Sequence, residues 1–411
     1  MIDAEFANRL AEEFGTPLVV VDEDHVRARC REFRTAFPRV LWAVKAFPAR
    51  ALIRMVNGEG LALLAATGGE SEACLRAGAS PESIALHGNN KSDEEIEHAT
   101  ATGIGLVIAD NEEELPRIAR YAERAGRRQP ILLRLAPGID VDAHRYVATG
   151  APDTKFGTPL ADGLAMHALE RALALPALDV HGVHLHLGSQ LLETKPYLLG
   201  LNAALDFLVE AGKAVGFEAR VLDLGGGMGV MYTEELPVGP VALGGELQET
   251  LASGCGTRGL SVPELVVEPG RAITSGAAIT LYRVGSIKEV PGVRTFVAVD
   301  GGMSDNIRPA LYGSRYNVSL VSRQSAAESR VVTVVGRHCE SGDVLARDVP
   351  LPADLKRGDL IALTSTGAYE YSMSSNYNKV GRPAVVAVRG GNARLILRRE
   401  TAEDLARLDV D

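Results

Sequence analysis

Lys45 sits in the stretch LWAVKAFP (41–48), where an apolar run from Leu41 to Val44 ends on an ammonium group. Burying a lysine charge without a partner is costly, so such a lysine either reaches out to water or has its pKa lowered for a task. Polar groups recur at the ends of other apolar runs. HGNN (87–90) ends one, Arg134 closes another, and His184 and His186 stand in a third. DLGGGMG (223–229) and EPGR (268–271) end two more. Taken singly these are ordinary features, since a strand histidine is usually a core residue and a glycine run usually a tight turn. Their repetition at strand ends is less easily accidental.

The glycines have a chemical use. Without Cβ atoms, Gly225, Gly226 and Gly227 let backbone N–H groups approach an anion, while GSQ (188–190) adds the Ser189 hydroxyl and Gly270 another bare backbone. Such a set could hold a phosphate. The spacing is not the GxxxxGK[ST] of a Walker loop, and the GxGxxG opening of a dinucleotide fold is missing. A phosphate-bearing cofactor beside a poised lysine points to pyridoxal 5′-phosphate, whose aldehyde an amine can bind as a Schiff base.

These groups need a scaffold that aims them at one place. Eight β-rich runs alternate with helical stretches: VLWAV (40–44), LALLA (61–65), SIALH (83–87), GLVIA (105–109), ILLRL (131–135), VHGVHLHL (180–187), RVLDL (220–224) and LVVE (265–268). Between them, patterns such as SDEEIEHATATG carry polar caps and acidic first turns. The alternation predicts an α/β fold, a (β/α)8 barrel, which keeps its reactive groups just past the C-terminal strand ends. A doubly wound open sheet is the alternative. After residue 276 the texture becomes strand-like with Gly and Pro turns, which predicts a mostly β C-terminal domain. The early strand TPLVVVD (16–22) has no place in the barrel and is expected to join that β domain.

The chain has 411 residues and a net charge of −10, with both signs mixed along it. No long basic run suggests nucleic acid or an anionic membrane as partner. The N-terminus lacks the basic start and apolar stretch of a signal peptide, and no apolar run approaches a membrane span. Cys30, Cys74, Cys255 and Cys339 are widely spaced, which suggests neither a metal site nor a disulfide framework and is simplest in a reducing cytoplasm. No metal is expected.

The motifs WAVKA, HGNNKS, TKFG, HLHLGSQ, DLGGGMG, EPGRAI, DGGMSDNIRPALYG, CESGDVL and GAYEYSMSSNYN run in order from residue 42 to 378. In them the chain resembles the fold type III pyridoxal-phosphate decarboxylases, and among these the diaminopimelate decarboxylases. HGNNKS, CESGD and MSSNYN are far more specific than the glycine runs. The resemblance implies a cofactor-binding barrel over 23–275. Residues 1–22 and 276–411 would form a β domain that completes the site of a partner subunit in a homodimer. It implies an amino-acid decarboxylase of lysine biosynthesis, acting on meso-diaminopimelate.

Residue by residue, the resemblance makes Lys45 the Schiff-base lysine, with the apolar strand aiming and partly desolvating its amine. His186 would stack on the cofactor ring, and Glu268 would contact the pyridine nitrogen. Ser189, Gly226, Gly227 and Gly270 would hold the phosphate, with Tyr369 assisting. Arg271, Arg308 and Tyr312 match positions for a distal carboxylate, which a guanidinium suits through paired hydrogen bonds. Glu340 matches the position that meets the distal ammonium. Cys339 and Glu340 are expected to act from the other subunit, Cys339 as proton donor or gate.

Three positions depart from the family pattern. Phe47 stands where an Asn is usual, Leu64 where an Asp is usual, and Ala136 where an Asn is usual. All three changes remove polar groups near the cofactor. They leave room for a decarboxylase of another amino acid or a conjugated one in a specialised pathway, or for a catalytically silent binding relative. A polyamine-type decarboxylase would want acidic residues in place of Arg308 and Tyr312. An alanine racemase-like activity would lack CESGD and MSSNYN.

Overall fold

The computed structural model describes residues 2–139 and 154–410. Two compact units emerge. One contains Arg27–Val230 and Leu236–Ile273; the other contains the residues up to Val26, Met231–Glu235 and the chain from Thr274 onward.

The first unit is a closed parallel barrel. After β1 (Leu18–Asp22), its strands are β2 (Arg39–Ala43), β3 (Ala62–Ala65), β4 (Ile84–Leu86), β5 (Leu106–Ala109) and β6 (Gln129–Ala136). A two-residue β7 (Thr158–Pro159) pairs beside β6, and β8 (Leu178–Leu185), β9 (Val221–Asp223) and β10 (Glu264–Val267) complete the set. The β10–β2 and β5–β6 pairings close the ring, so the open-sheet alternative is excluded. Strands buried on both faces read as continuous apolar runs, which is why short segments such as LVIA and ELVV carried the signal.

The barrel interior contains Leu41, Ala43, Leu64, Ala85, Leu106, Ile108, Leu132, Val221 and Val266. Small and large side chains interleave there, as a tapering interior requires. Burial of each large aliphatic side chain contributes about 1.5–3 kcal/mol. Gly182 is needed where β8 and β9 pair, because a Cβ there would lie 1.8 Å from the Val221 carbonyl oxygen. Helices between strands are capped as their sequences dictate. Ser92 and Glu95 form a capping box before Asp93–Thr102, and Gly103 ends that helix at φ 85°.

The second unit is built on a mixed sheet. Its strands are β1, β11 (Ala278–Val290), β12 (Arg294–Val299), β13 (Val318–Leu320), β14 (Ser329–Val335), β15 (Val344–Pro352), β16 (Leu360–Thr364), β17 (Ala384–Arg389) and β18 (Asn392–Leu397). β1 lies between β11, which it meets antiparallel, and β17, which it meets parallel. Leu10, Leu18, Val20, Leu281, Ala362, Ala384 and Val386 pack as its core. Among the described residues no helix is long and apolar enough to cross a membrane.

Candidate active site

Lys45 is not on a strand. β2 stops at Ala43, and Val44–Ala46 form a short 3-10 turn. Val44, Ala46 and Phe47 are buried while Lys45 is exposed. The expected desolvation of this amine by its strand is therefore corrected: the turn anchors on its apolar flanks and lifts the lysine clear. Its charge still acts on Glu268, His87, His184 and His186, which places it at the end of the barrel where those groups stand.

Glu268 follows the last residue of β10 and is 5 % exposed. His184 Nε2 approaches its Oε2 at 3.2 Å. Burial pushes the His184 imidazole down to about 4, so the ring is neutral at neutral pH. With Nε2–H donating to the carboxylate, Nδ1 carries no proton. His87 crosses His184 edge to face, with ring centroids 4.9 Å apart, and burial depresses its pKa well below the imidazole range. Asp223, at the end of β9, accepts the Gly225 N–H through Oδ1 at 2.8 Å. Its carboxyl also lies in hydrogen-bond contact with Glu268. Burial raises both acids, Glu268 to about 7 and Asp223 well above its usual range, the latter helped by the charge of its neighbour. No N–H or hydroxyl group among the described residues donates to Glu268 Oε1 or Asp223 Oδ2.

His186 lies one residue past β8, whereas His184 is within the strand. The Gly226 N–H donates to His186 Nδ1 at 3.2 Å, which leaves the proton on Nε2 and fixes the ring. Burial, with the charges of Lys45 and Arg134, holds this imidazole well below its usual range. Gly226 thus holds a side chain with its N–H, a use the sequence reading did not assign to it. Its missing Cβ matters too, since one would lie 2.3 Å from the Glu268 carbonyl oxygen. Gly227, at φ 92°, accepts the Leu191 N–H at its carbonyl, 2.9 Å away. Ser189 and Arg271 come together: Arg271 Nη2 donates to Ser189 Oγ at 3.0 Å. Gly270 directly precedes the short helix Arg271–Thr274.

The remaining candidates belong to the second unit. Arg308 is 6 % exposed, its Nε donating to the Tyr316 hydroxyl and its Nη2 to Ser314 Oγ. The rings of Tyr232, Tyr312 and Tyr369 stand 5.4–5.8 Å from its guanidinium carbon. The buried Glu370 stands near enough for its charge to act on Tyr316. Tyr369 itself holds a strained φ of 62°. Cys339 and Glu340 are both exposed. The Cys339 N–H donates to Asn378 Oδ1, which also contacts His338 Nδ1, and His338 Nε2 meets Ser304 Oγ at 2.8 Å.

Sequence reading missed a buried charge network beneath the strand ends. Lys91 Nζ pairs with Glu114 at 2.8 Å and donates to the Gly88 carbonyl. Asp110 pairs with Arg134 at 3.2 Å and accepts the Gly157 N–H, while Arg134 lies over the Phe156 ring. HGNNKS and TKFG are thereby tied into one network with the ends of β5 and β6. A signal existed: Lys91, Asp110, Glu114 and Arg134 each sit at or just after an apolar run. The three departures are buried: Phe47 at 0 %, Leu64 at 6 % and Ala136 at 5 %. Leu64 joins the apolar barrel interior.

The residues present fit pyridoxal phosphate. Among the described residues no N–H or alcohol hydroxyl donates to the buried Glu268 Oε1, and a protonated pyridine nitrogen supplies such a donor. The Arg271–Ser189 pair, beside a glycine-rich loop, offers a guanidinium and a hydroxyl suited to a phosphate.

Residues 23–275 match the model of the pyridoxal-dependent decarboxylase family, pyridoxal binding domain. The chain is 45 % identical over 414 residues to a diaminopimelate decarboxylase of Mycobacterium tuberculosis strain H37Rv, covering 98 % of this chain and 93 % of that one. With the diaminopimelate decarboxylase of Actinosynnema pretiosum the identity is 47 %, over 98 % and 91 % of the two chains. Among solved structures, diaminopimelate decarboxylase from M. jannaschii in complex with L-lysine superposes with a TM-score of 0.92 at 32 % identity, covering 98 % and 94 %. The Helicobacter pylori enzyme with L-lysine gives 0.90 at 29 %, covering 98 % of each chain. A barrel whose strand ends gather Lys45, His186 and Glu268, matched at this identity over almost its whole length, belongs to the pyridoxal-phosphate-dependent amino-acid decarboxylases, in the diaminopimelate decarboxylase family.

Proposed function

We propose that this chain removes CO2 from meso-diaminopimelate to give L-lysine. The observation that carries this reading is Glu268: a buried carboxylate at the barrel end, held by His184 and Asp223, whose Oε1 meets no N–H or alcohol hydroxyl among the described residues. Pyridoxal phosphate, when bound, supplies a ring that accepts the electron pair left behind as a carboxylate departs. Lys45 would hold the cofactor at its aldehyde. Its exposure keeps the amine accessible, and its charge favours the ionised form of Glu268. Glu268 would keep the proton on the pyridine nitrogen. His186, oriented by Gly226, would cover the ring face. Ser189, Gly227 and Gly270 would take the phosphate, and the bond between Arg271 and Ser189 suggests that Arg271 shares this task as well as meeting substrate. Tyr369 would assist.

Arg308 and Tyr312 are assigned to the distal carboxylate and Glu340 to the distal ammonium. Cys339 Sγ is assigned to protonate the carbon that loses CO2, acting with Glu340 in the site of a second copy. On this reading 23–275 form the cofactor barrel, and 1–22 with 276–411 form the domain that completes the partner's site. The four cysteines are all free thiols, in keeping with work in a reducing cytoplasm.

A related decarboxylase for another amino acid remains the second reading, favoured by the buried apolar Phe47, Leu64 and Ala136. CO2 release from meso-diaminopimelate, lysine, ornithine, arginine and glutamate derivatives separates the two. Release from diaminopimelate alone is expected. Release only from another acid rejects the proposed substrate.

A further inference from the structure

Asp223 and Glu268 are two buried carboxyl groups in hydrogen-bond contact, brought together because β9 and β10 pair with Val266 beside Asp223. Two ionised carboxylates cannot face each other in a water-poor site; one proton must lie between them. Asp223 Oδ1 is engaged by the Gly225 N–H, while among the described residues no N–H or alcohol hydroxyl donates to Oδ2. We propose that Asp223 is a permanently protonated positioning residue that donates its carboxyl hydrogen to Glu268, so that the pair carries a single negative charge, held on Glu268. This rests on the reading that Glu268 serves the pyridine nitrogen.

The surroundings decide which acid keeps the proton. Lys45 and Arg134 face Glu268 with positive charge, and His184 donates to it from β8. Asp223 faces Glu268 and the neutral His184, with a backbone N–H as its other support. Positive charge and a donor therefore favour ionisation at Glu268. A carboxylate has four lone-pair sites, so donors from His184 and Asp223 leave room for a pyridine N–H. The site resembles an acid–base pair with environments pushed apart, except that here the acid acts only by aiming the base.

Infrared difference spectra of the cofactor-free protein test this first. The wild type at pH 8 is expected to show the carbonyl stretch of an undissociated carboxylic acid, and Asp223→Asn is expected to lose it. Cofactor affinity, read by absorbance titration from pH 6 to 9, tests the consequence. Asp223→Asn keeps a permanent donor and should bind within about threefold of wild type, whereas Asp223→Leu should bind about ten- to a hundredfold more weakly. Absence of the acid band from the wild type overturns the proposal, whether or not the leucine variant folds. So does a folded Asp223→Leu protein that binds as wild type. Glu268→Gln separates this from the underlying reading: unchanged cofactor affinity there would remove Glu268 from the pyridine nitrogen while leaving the infrared result intact.

Discussion

Arg308 donates its Nε–H to the Tyr316 hydroxyl at 3.0 Å, and the buried Glu370 stands near enough for its charge to act on Tyr316. With Ser314 on Nη2 and three tyrosine rings around the guanidinium, the side chain is oriented before any ligand arrives. A guanidinium aimed in this way suits a carboxylate that must be held at a fixed distance from the reacting carbon. Arg308→Ala is expected to raise KM for diaminopimelate at least tenfold. Tyr316→Phe should raise it about three- to tenfold, because only the orienting hydrogen bond is lost. Steady-state kinetics decide it, and an unchanged KM in Arg308→Ala would mean the distal group is held elsewhere.

The acid at the barrel end makes stability depend on pH. Burial raises Glu268 from an ordinary 4.5 to about 7, so the folded chain keeps a proton that the unfolded chain has released. Its contribution is therefore fully present below the ordinary carboxyl range and is lost as pH rises to about 7. His184 runs the other way. Its depressed value, about 4 against 6.5, gives a contribution lost as pH falls between those values. Glu268→Gln deletes only the first effect. In urea unfolding of cofactor-free protein, the variant should gain on wild type from pH 4.5 to 7 and hold a constant difference above that. Parallel pH profiles would show that Glu268 titrates as an ordinary acid.

The barrel was legible because its strands are short apolar runs, and such runs report burial directly. Lys45, His186 and Glu268 could be placed at strand ends for the same reason. Their surroundings could not. Asp223 reads as an unremarkable strand residue until the β9–β10 register sets it beside Glu268. Tyr232 and Tyr369 come from segments far from Arg308 in the sequence, so nothing local marks them as joining Tyr312 in the aromatic box of Arg308. The exposure of Lys45 was misjudged because an apolar run ending in lysine looks like a continuing strand, whereas the backbone turns at Val44.

Lys91 and Glu114 are 1 % and 2 % exposed, and the pair ties HGNNKS to the end of β5. Breaking a buried ion pair leaves an uncompensated charge, so Glu114→Ala should cost about 3–5 kcal/mol. The exposed pair Arg76–Glu72 is shorter, at 2.6 Å, yet Glu72→Ala should change stability by less than about 1 kcal/mol. Urea unfolding of both variants checks the contrast. Equal effects would show that the Lys91 charge finds another partner when Glu114 is gone.

Lys45 and Cys339 are both exposed in the single chain, while Cys30, Cys74 and Cys255 are buried, Cys30 and Cys74 with thiols pushed up to about 12 by burial. If Cys339 serves the site of a second copy, each site needs Lys45 from one chain and Cys339 from the other. Lys45→Ala should lose both turnover and the visible absorbance of bound cofactor; Cys339→Ala should lose turnover and keep the absorbance. Mixed in equal amounts under exchange, half the dimers would be hybrids, each with one site intact and one doubly altered. Activity should then return to about a quarter of wild type. If both residues served the same chain's site, the hybrid would hold no intact site and mixing would restore nothing. The exchange of two inactive chains thus reads out which copy supplies the thiol.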